Sequence, residues 1–217
     1  NIKNVYQQKF YTRSPNSYIE HPSFIDFSHT SLVQQNQTCS NKVPWKGGRN
    51  TGKFFADEDL GEFSRRKLHS SPQVTHLLNA EYFWDKGISG EGVRVAIFDT
   101  GLSSDHPHFI NVRERTDWTD EGTLEDYVGH GTFVAGVIAS VDQFCSGFAP
   151  DSDLYIFRVF TNSQASYTSW FLDAFNYAIH CKIDVLNLSI GGPDWMDEPF
   201  VEKVWELSAN NVIVVSA

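Results

Sequence analysis

An apolar run that ends in an acid and then turns, Val95-Ala-Ile-Phe-Asp99-Thr-Gly101, constrains this chain more than any other stretch. Four apolar residues in succession read as a strand covered on both faces, and open α/β sheets gather their chemistry at the carboxyl ends of such strands, where Asp99 stands. A second string, Gly129-His130-Gly-Thr-Phe-Val-Ala-Gly136, reads as a helix whose first turn carries His130. There the positive end of the helix dipole disfavours imidazolium, which suits a neutral general base. A third string, Asp184-Val-Leu-Asn-Leu-Ser-Ile-Gly-Gly-Pro193, reads as a strand that leaves through a tight glycine exit. A carboxylate that holds an imidazole in one tautomer supplies two members of a nucleophilic triad. The hydroxyl is missing: no Gly-Thr-Ser motif occurs, and the sequence stops at Ala217 within an apolar strand. We therefore read the chain as a fragment.

Around these strings the pattern alternates. Strands are predicted over 93–98, 154–159, 183–190 and 212–215, and helices over 71–87, 130–140, 169–180 and 198–208. This βαβ rhythm implies a parallel sheet with helices on both faces. Residues 1–68 are polar and irregular, with Ser14-Pro-Asn16, Gln34-Gln-Asn-Gln37 and Lys46-Gly-Gly-Arg-Asn50, and read as a linker or processed segment ahead of a domain at 69–217. A formal charge of −10 argues against nucleic-acid binding, which requires a basic surface, and favours substrates that carry Arg or Lys. Three cysteines, Cys39, Cys145 and Cys181, allow at most one bridge, and Cys145 and Cys181 are expected as small buried apolar residues. The sequon Asn36-Gln-Thr38 is usable only in a secretory compartment.

Taken together, Asp99-Thr-Gly101, His130-Gly-Thr-Phe-Val-Ala-Gly136 and Asn187-Leu-Ser-Ile-Gly-Gly-Pro193 resemble the signatures of the subtilase family of serine proteases. Longer runs, including Asp99 to Phe109, Phe157 to Asn162 and Tyr167 to Ile179, resemble the branch of that family that cuts membrane-anchored precursors. The resemblance implies a subtilisin-like α/β fold, incomplete at its carboxyl end and preceded by the remainder of an inhibitory prosegment. It implies that Asp99 orients His130, the general base. It implies an extended polypeptide substrate held as an added strand between Ser189, Ile190 and Gly191 on one side and Ala165, Ser166 and Tyr167 on the other. Members of this branch cut after Arg-x-x-Leu-like sequences and mature by cutting their own prosegment. Arg65-Arg66-Lys67-Leu68 then reads as a processing site, with Leu68 in the primary pocket and Arg65 reaching an acidic subsite. Asp120, Glu121, Glu125, Asp126, Asp194, Asp197 and Glu198 are the acids available for that subsite. The resemblance also places the full-length parent on a membrane in the lumen of the endoplasmic reticulum and Golgi, acting on precursors such as sterol-responsive transcription factors. Calcium is an expectation of the branch without assigned ligands, because His108 stands where the bacterial relatives carry a ligating Asp.

Other readings explain less. An aspartic protease shares Phe98-Asp-Thr-Gly101 but needs a second Asp-Thr-Gly, and there is one. A nucleotide-binding domain wants a glycine-rich phosphate loop, which Asp99-Thr-Gly-Leu-Ser-Ser104 is not. A subtilase fold that has lost catalysis and serves in binding stays as the alternative. If Leu68 marks a processing site, Arg65→Ala in the full-length protein abolishes cleavage at Leu68-His69, read by amino-terminal sequencing of the mature form; normal maturation contradicts it.

Overall fold

In the computed structural model, which describes residues 10–12, 73–190 and 197–216, the apolar run at 95–98 forms the middle of a five-stranded sheet. The elements in chain order are β1 (Phe10–Thr12), α1 (Val74–Leu77), α2 (Glu81–Trp84), β2 (Arg94–Asp99), β3 (Val112–Asp117), α3 (His130–Ala139), β4 (Val141–Asp142), β5 (Cys145–Ser146), β6 (Asp153–Arg158), β7 (Ala165–Tyr167), α4 (Thr168–His180), β8 (Val185–Leu188), α5 (Glu198–Ala209) and β9 (Ile213–Ser216). The main sheet has the order β3-β6-β2-β8-β9 with every neighbour parallel, as the βαβ rhythm requires.

Each face of β2 is covered by a helix layer, which explains why its sequence is apolar throughout rather than alternating. Ala96 and Phe98 face the side of α4 and α5, in a core with Phe157, Phe171, Ala174, Phe175, Ala178 and Leu207. Rings stack through it: Phe98 lies 4.6 Å from Phe157 and 5.1 Å from Phe175 between centroids. Val95 and Ile97 face α3, against Ala135, Ala139, Leu154 and Ile156. The buried residues of α3 are Gly131, Ala135 and Ala139, four apart and all small, so the helix lies close against the sheet.

Three expectations change. The helix predicted over 71–87 is two single turns, α1 and α2, because Asn79 adopts a left-handed φ of 58° between them. Its apolar residues Val74, Leu77 and Leu78 stay exposed, so little burial holds a longer helix together. β3 escaped the pattern search because Val-Arg-Glu-Arg-Thr-Asp is charged along its length. It is an edge strand, and its charges are matched locally: Arg113 pairs with Asp153 at 2.8 Å, and the Tyr177 hydroxyl donates to Glu114 at 2.7 Å. Burial, and after it that carboxylate, pushes the Tyr177 phenol well above the ordinary range. Cys145 is exposed rather than buried, since it lies in the short β4-β5 hairpin at the surface. Cys181 is buried as expected and disulfide-bonded.

The tightest contact is at the start of α3. A Cβ on Gly131 would stand 2.3 Å from the Gly101 carbonyl oxygen and 3.2 Å from the Asp99 Cβ. Gly131→Ala must push the helix off the strand end, a loss of about 1–3 kcal/mol. Thermal unfolding of the full-length variant checks it; an unchanged midpoint contradicts the packing.

Candidate active site

The carboxyl end of β2 delivers Asp99 fully buried, and the first residue of α3 delivers His130 beside it. The imidazole Nδ1 stands 3.0 Å from Asp99 Oδ2 and 3.1 Å from Oδ1. Thr100 donates its backbone N–H to Oδ1 at 2.6 Å, so the carboxylate is oriented from a second direction. An ionised carboxylate on Nδ1 assigns the proton to that nitrogen and leaves Nε2 as the basic one. The His130 side chain is 42% exposed while its partner has no exposure, so the pair is dry on the acid side and open on the base side.

The neighbouring strands end level with Asp99. In register Asp99 lies opposite Arg158 of β6, and Phe98 opposite Leu188 of β8. Arg158 is 1% exposed and is satisfied by a cage that the sequence reading missed. Its guanidinium donates to Asp117 at 3.2 Å, Thr119 at 2.7 Å, Asn162 at 3.2 Å and the Thr100 carbonyl at 3.2 Å, and also to Glu121. A cation inside the otherwise apolar Leu154-Tyr-Ile-Phe-Arg-Val-Phe160 was the available signal, because a charge in a buried run needs partners.

Internal partners, that cage among them, hold several of the acids available for a substrate Arg. Glu121 is held by Arg158 and also accepts the Asn162 N–H at 3.1 Å. Glu125 accepts from Ser104 N–H and Arg115 at 3.1 Å each; burial alone would raise its carboxyl, and these bonds outweigh it and hold it low. Asp126 is engaged at the start of α3. Asp197 is buried and accepts the Thr168 hydroxyl at 2.7 Å. Asp120 and Glu198 are exposed, and Asp194 lies outside the described residues.

Of the strand-binding residues, Ala165, Ser166 and Tyr167 form β7, and its edge carries an antiparallel partner. Phe10 pairs with Tyr167, Tyr11 with Ser166 and Thr12 with Ala165. Ser166 is buried and its hydroxyl donates to the Val159 carbonyl at 2.6 Å, which leaves its backbone for the neighbouring strand. Ser189 and Ile190 are half-buried just past the end of β8, and the Ser189 hydroxyl donates to Asn187 at 3.0 Å. Gly191 and the Arg65, Arg66, Lys67 and Leu68 run lie outside the described residues.

The donor set around His108 does not suit calcium. His108 Nε2 points to Asp142 Oδ2 at 3.6 Å, and imidazole is a poor ligand for a hard cation that wants six to eight oxygens. Among the described residues no three His, Cys, Asp or Glu side chains are gathered as a metal would require.

Residues 90–217 match the family model described as the subtilase family, peptidase S8. The chain belongs to the subtilase family. Its fold is that of a subtilase, with the parallel sheet and two helix layers already described. Among its relatives, the membrane-bound transcription factor site-1 protease of Homo sapiens is 57% identical over the whole chain, which spans 20% of that protein. The subtilisin-like protease SBT6.1 of Arabidopsis thaliana is 61% identical over 71% of the chain and 15% of its own length. The major intracellular serine protease of Bacillus subtilis (strain 168) is 35% identical over 69% of the chain and 50% of its own length. The narrower resemblance drawn from the long runs thus agrees with these relatives, and the chain spans about a fifth of the site-1 proteases it matches.

Because Arg158 ties the loop after β3 to the end of β2, removing it strands two carboxylates. Arg158→Ala is expected to cost this subtilase about 3–5 kcal/mol, seen as a lowered thermal midpoint of the full-length variant; an unchanged midpoint contradicts the cage.

Proposed function

We propose that the chain is the amino-terminal part of the catalytic domain of a serine endopeptidase of the site-1 protease kind, preceded over residues 1–68 by the end of its prosegment. The observation that carries this is the buried Asp99 carboxylate 3.0 Å from Nδ1 of a half-open His130, in a chain whose β7 edge accepts an antiparallel partner. Asp99 fixes the imidazole and stabilises it once protonated. His130 Nε2 takes the proton of a serine hydroxyl as that oxygen attacks the scissile carbonyl, and returns it to the leaving amine. The serine and the donor for the developing oxyanion belong to a later part of the full-length protein.

The substrate is an extended polypeptide laid as an added strand along Ala165–Tyr167 and along Ser189, Ile190 and Gly191, so that main-chain hydrogen bonds supply affinity and side-chain pockets supply choice. The pairing of Phe10–Thr12 with that same edge supports this reading, and with it the reading of the chain's own prosegment as a partner of the site. Maturation follows from a cut at Leu68-His69, and substrates are cut after similar Arg-x-x-Leu sequences. The human relative's name describes a membrane-bound protease of transcription factors. On that likeness the parent acts in the secretory pathway, in the endoplasmic reticulum and Golgi lumen, on membrane-anchored precursors. No helix among the described residues is long and apolar enough to cross a membrane.

The test is the full-length protein on an Arg-x-x-Leu peptide beside its His130→Ala variant. Cleavage after Leu that disappears in the variant is expected. Cleavage that survives the substitution overturns His130 as the base, and none by the wild type overturns the reading and leaves a subtilase fold used for binding.

A further inference from the structure

The start of α3 is unusual for a helix that carries a reactive side chain. Its N-cap is Gly129, with a left-handed φ of 88° and no side chain to satisfy the first turn's N–H groups. Asp126, in the loop before it, does so instead. Its Oδ1 accepts the Gly129 N–H at 2.8 Å and the Val128 N–H at 3.2 Å. Its Oδ2 accepts the Thr132 N–H at 2.8 Å and the Thr132 hydroxyl at 2.7 Å.

The network continues to the other half of the pair. The Thr100 hydroxyl donates to Asp126 Oδ1 at 2.8 Å and accepts the Gly131 N–H at 3.0 Å, while Thr100 N–H donates to Asp99. Thr132 Oγ1 also accepts the Ser103 N–H at 3.0 Å. Residues 129, 131 and 132, on both sides of His130, are thereby tied to the residue that follows Asp99.

Resting on the reading of Asp99 and His130 as orienter and base, we propose that Asp126 is a positioning residue. It fixes the first turn of α3 against the end of β2, and its carboxylate sets a negative charge at the helix end that carries the base. Burial alone would raise the Asp126 carboxyl, and the bonds from Thr132, Thr100 and Gly129 outweigh it and hold it low, so the group is an anion throughout the working range. Among the described residues, the charged groups at the start of α3 are Asp99 from β2, in contact with His130, and Asp126 from the loop, and the imidazoles of His106 and His108 line a cavity with Gly129 and Thr132. Arg158 of β6 is turned into its own cage, and Glu125 beside Asp126 is paired with Arg115. Asp126 therefore acts in two ways that can be separated: by geometry, through its five donors, and by charge, by favouring imidazolium where the helix dipole disfavours it.

The experiment compares full-length wild type, Asp126→Asn, Thr132→Val and His130→Ala on an Arg-x-x-Leu peptide from about pH 5 to about pH 9. Asp126→Asn keeps the shape and one acceptor but not the charge. Its plateau kcat falls about ten- to a hundredfold with KM held. The acidic limb of its kcat profile moves down by about half a pH unit, because imidazolium loses a neighbouring anion. Thr132→Val keeps the charge and loses both bonds of the hydroxyl, to Asp126 and from the Ser103 N–H, so its kcat falls several-fold with the limb in place. An acidic limb unmoved in Asp126→Asn, or a kcat equal to wild type, overturns the proposal. Should Asp126→Asn fail to accumulate folded, Thr132→Val decides: a lowered kcat with KM and limb unchanged supports it, and wild-type kcat overturns it. If the wild type shows no His130-dependent cleavage, the functional reading itself has failed and this proposal falls with it; His130-dependent cleavage with an indifferent Asp126→Asn sinks the proposal alone.

Discussion

A helix can present a side chain to the end of a neighbouring strand only if its first turn comes close enough, and here that closeness is set by one missing methyl. The space a Cβ on Gly131 would need is already filled by the Gly101 carbonyl, so glycine is required where the helix touches the strand. The 3.0 Å contact between His130 and Asp99 follows from it. So does the composition of the rest of α3, whose sheet-facing residues are small at every turn. A helix seated on larger side chains would carry the imidazole away from a carboxylate that cannot follow, because Asp99 is fixed by its pairing with Arg158 of β6 and by the Thr100 N–H.

With the two groups this close, the remaining cost is electrostatic. A buried carboxylate is tolerated when donors surround it, and the chain places several such acids near one another around the strand ends. Asp117 and Glu121 share the buried Arg158; Glu125 shares Arg115; Asp126 is satisfied by backbone and hydroxyl donors. Much of the acid density that makes the chain look like a receptor for cationic substrates is thus engaged by partners within the chain. The formal charge of −10 described a balance of residue types, and burial decides which of those charges a substrate meets.

The sequence disclosed most where chemistry and packing demand the same residue. An apolar run ending in Asp99, and His130 between glycines, were legible because few other residues satisfy those positions, and the parallel sheet followed from runs buried on both faces. Legibility failed where a tertiary partner replaced a local signal. The β3 strand carries charges that an edge tolerates only because Asp153 and Tyr177 meet them. The segment at 71–87 had helical spacing but no surface to bury it on, and it broke at Asn79. Cys145 looked like a small core residue and lies in an exposed hairpin. Asp126 was visible as one acid among several, and nothing in its spacing distinguished a helix cap from a solvated charge, since the residue it replaces as cap is a glycine three positions away.

The strand order has a consequence for how the molecule is made. The central strand β2 finds its partners late in the chain: Arg94 pairs with Asp153, and Val95 with Val185. Neither partner can be reached by a hairpin, so each pairing closes a long loop before it returns any stabilisation. A high contact order of this kind slows folding and prolongs the time during which the apolar strand at 95–98 stands unpaired. The architecture that holds an acid and a base in a rigid frame is thus one that a newly made chain assembles slowly, with its most aggregation-prone segment waiting longest.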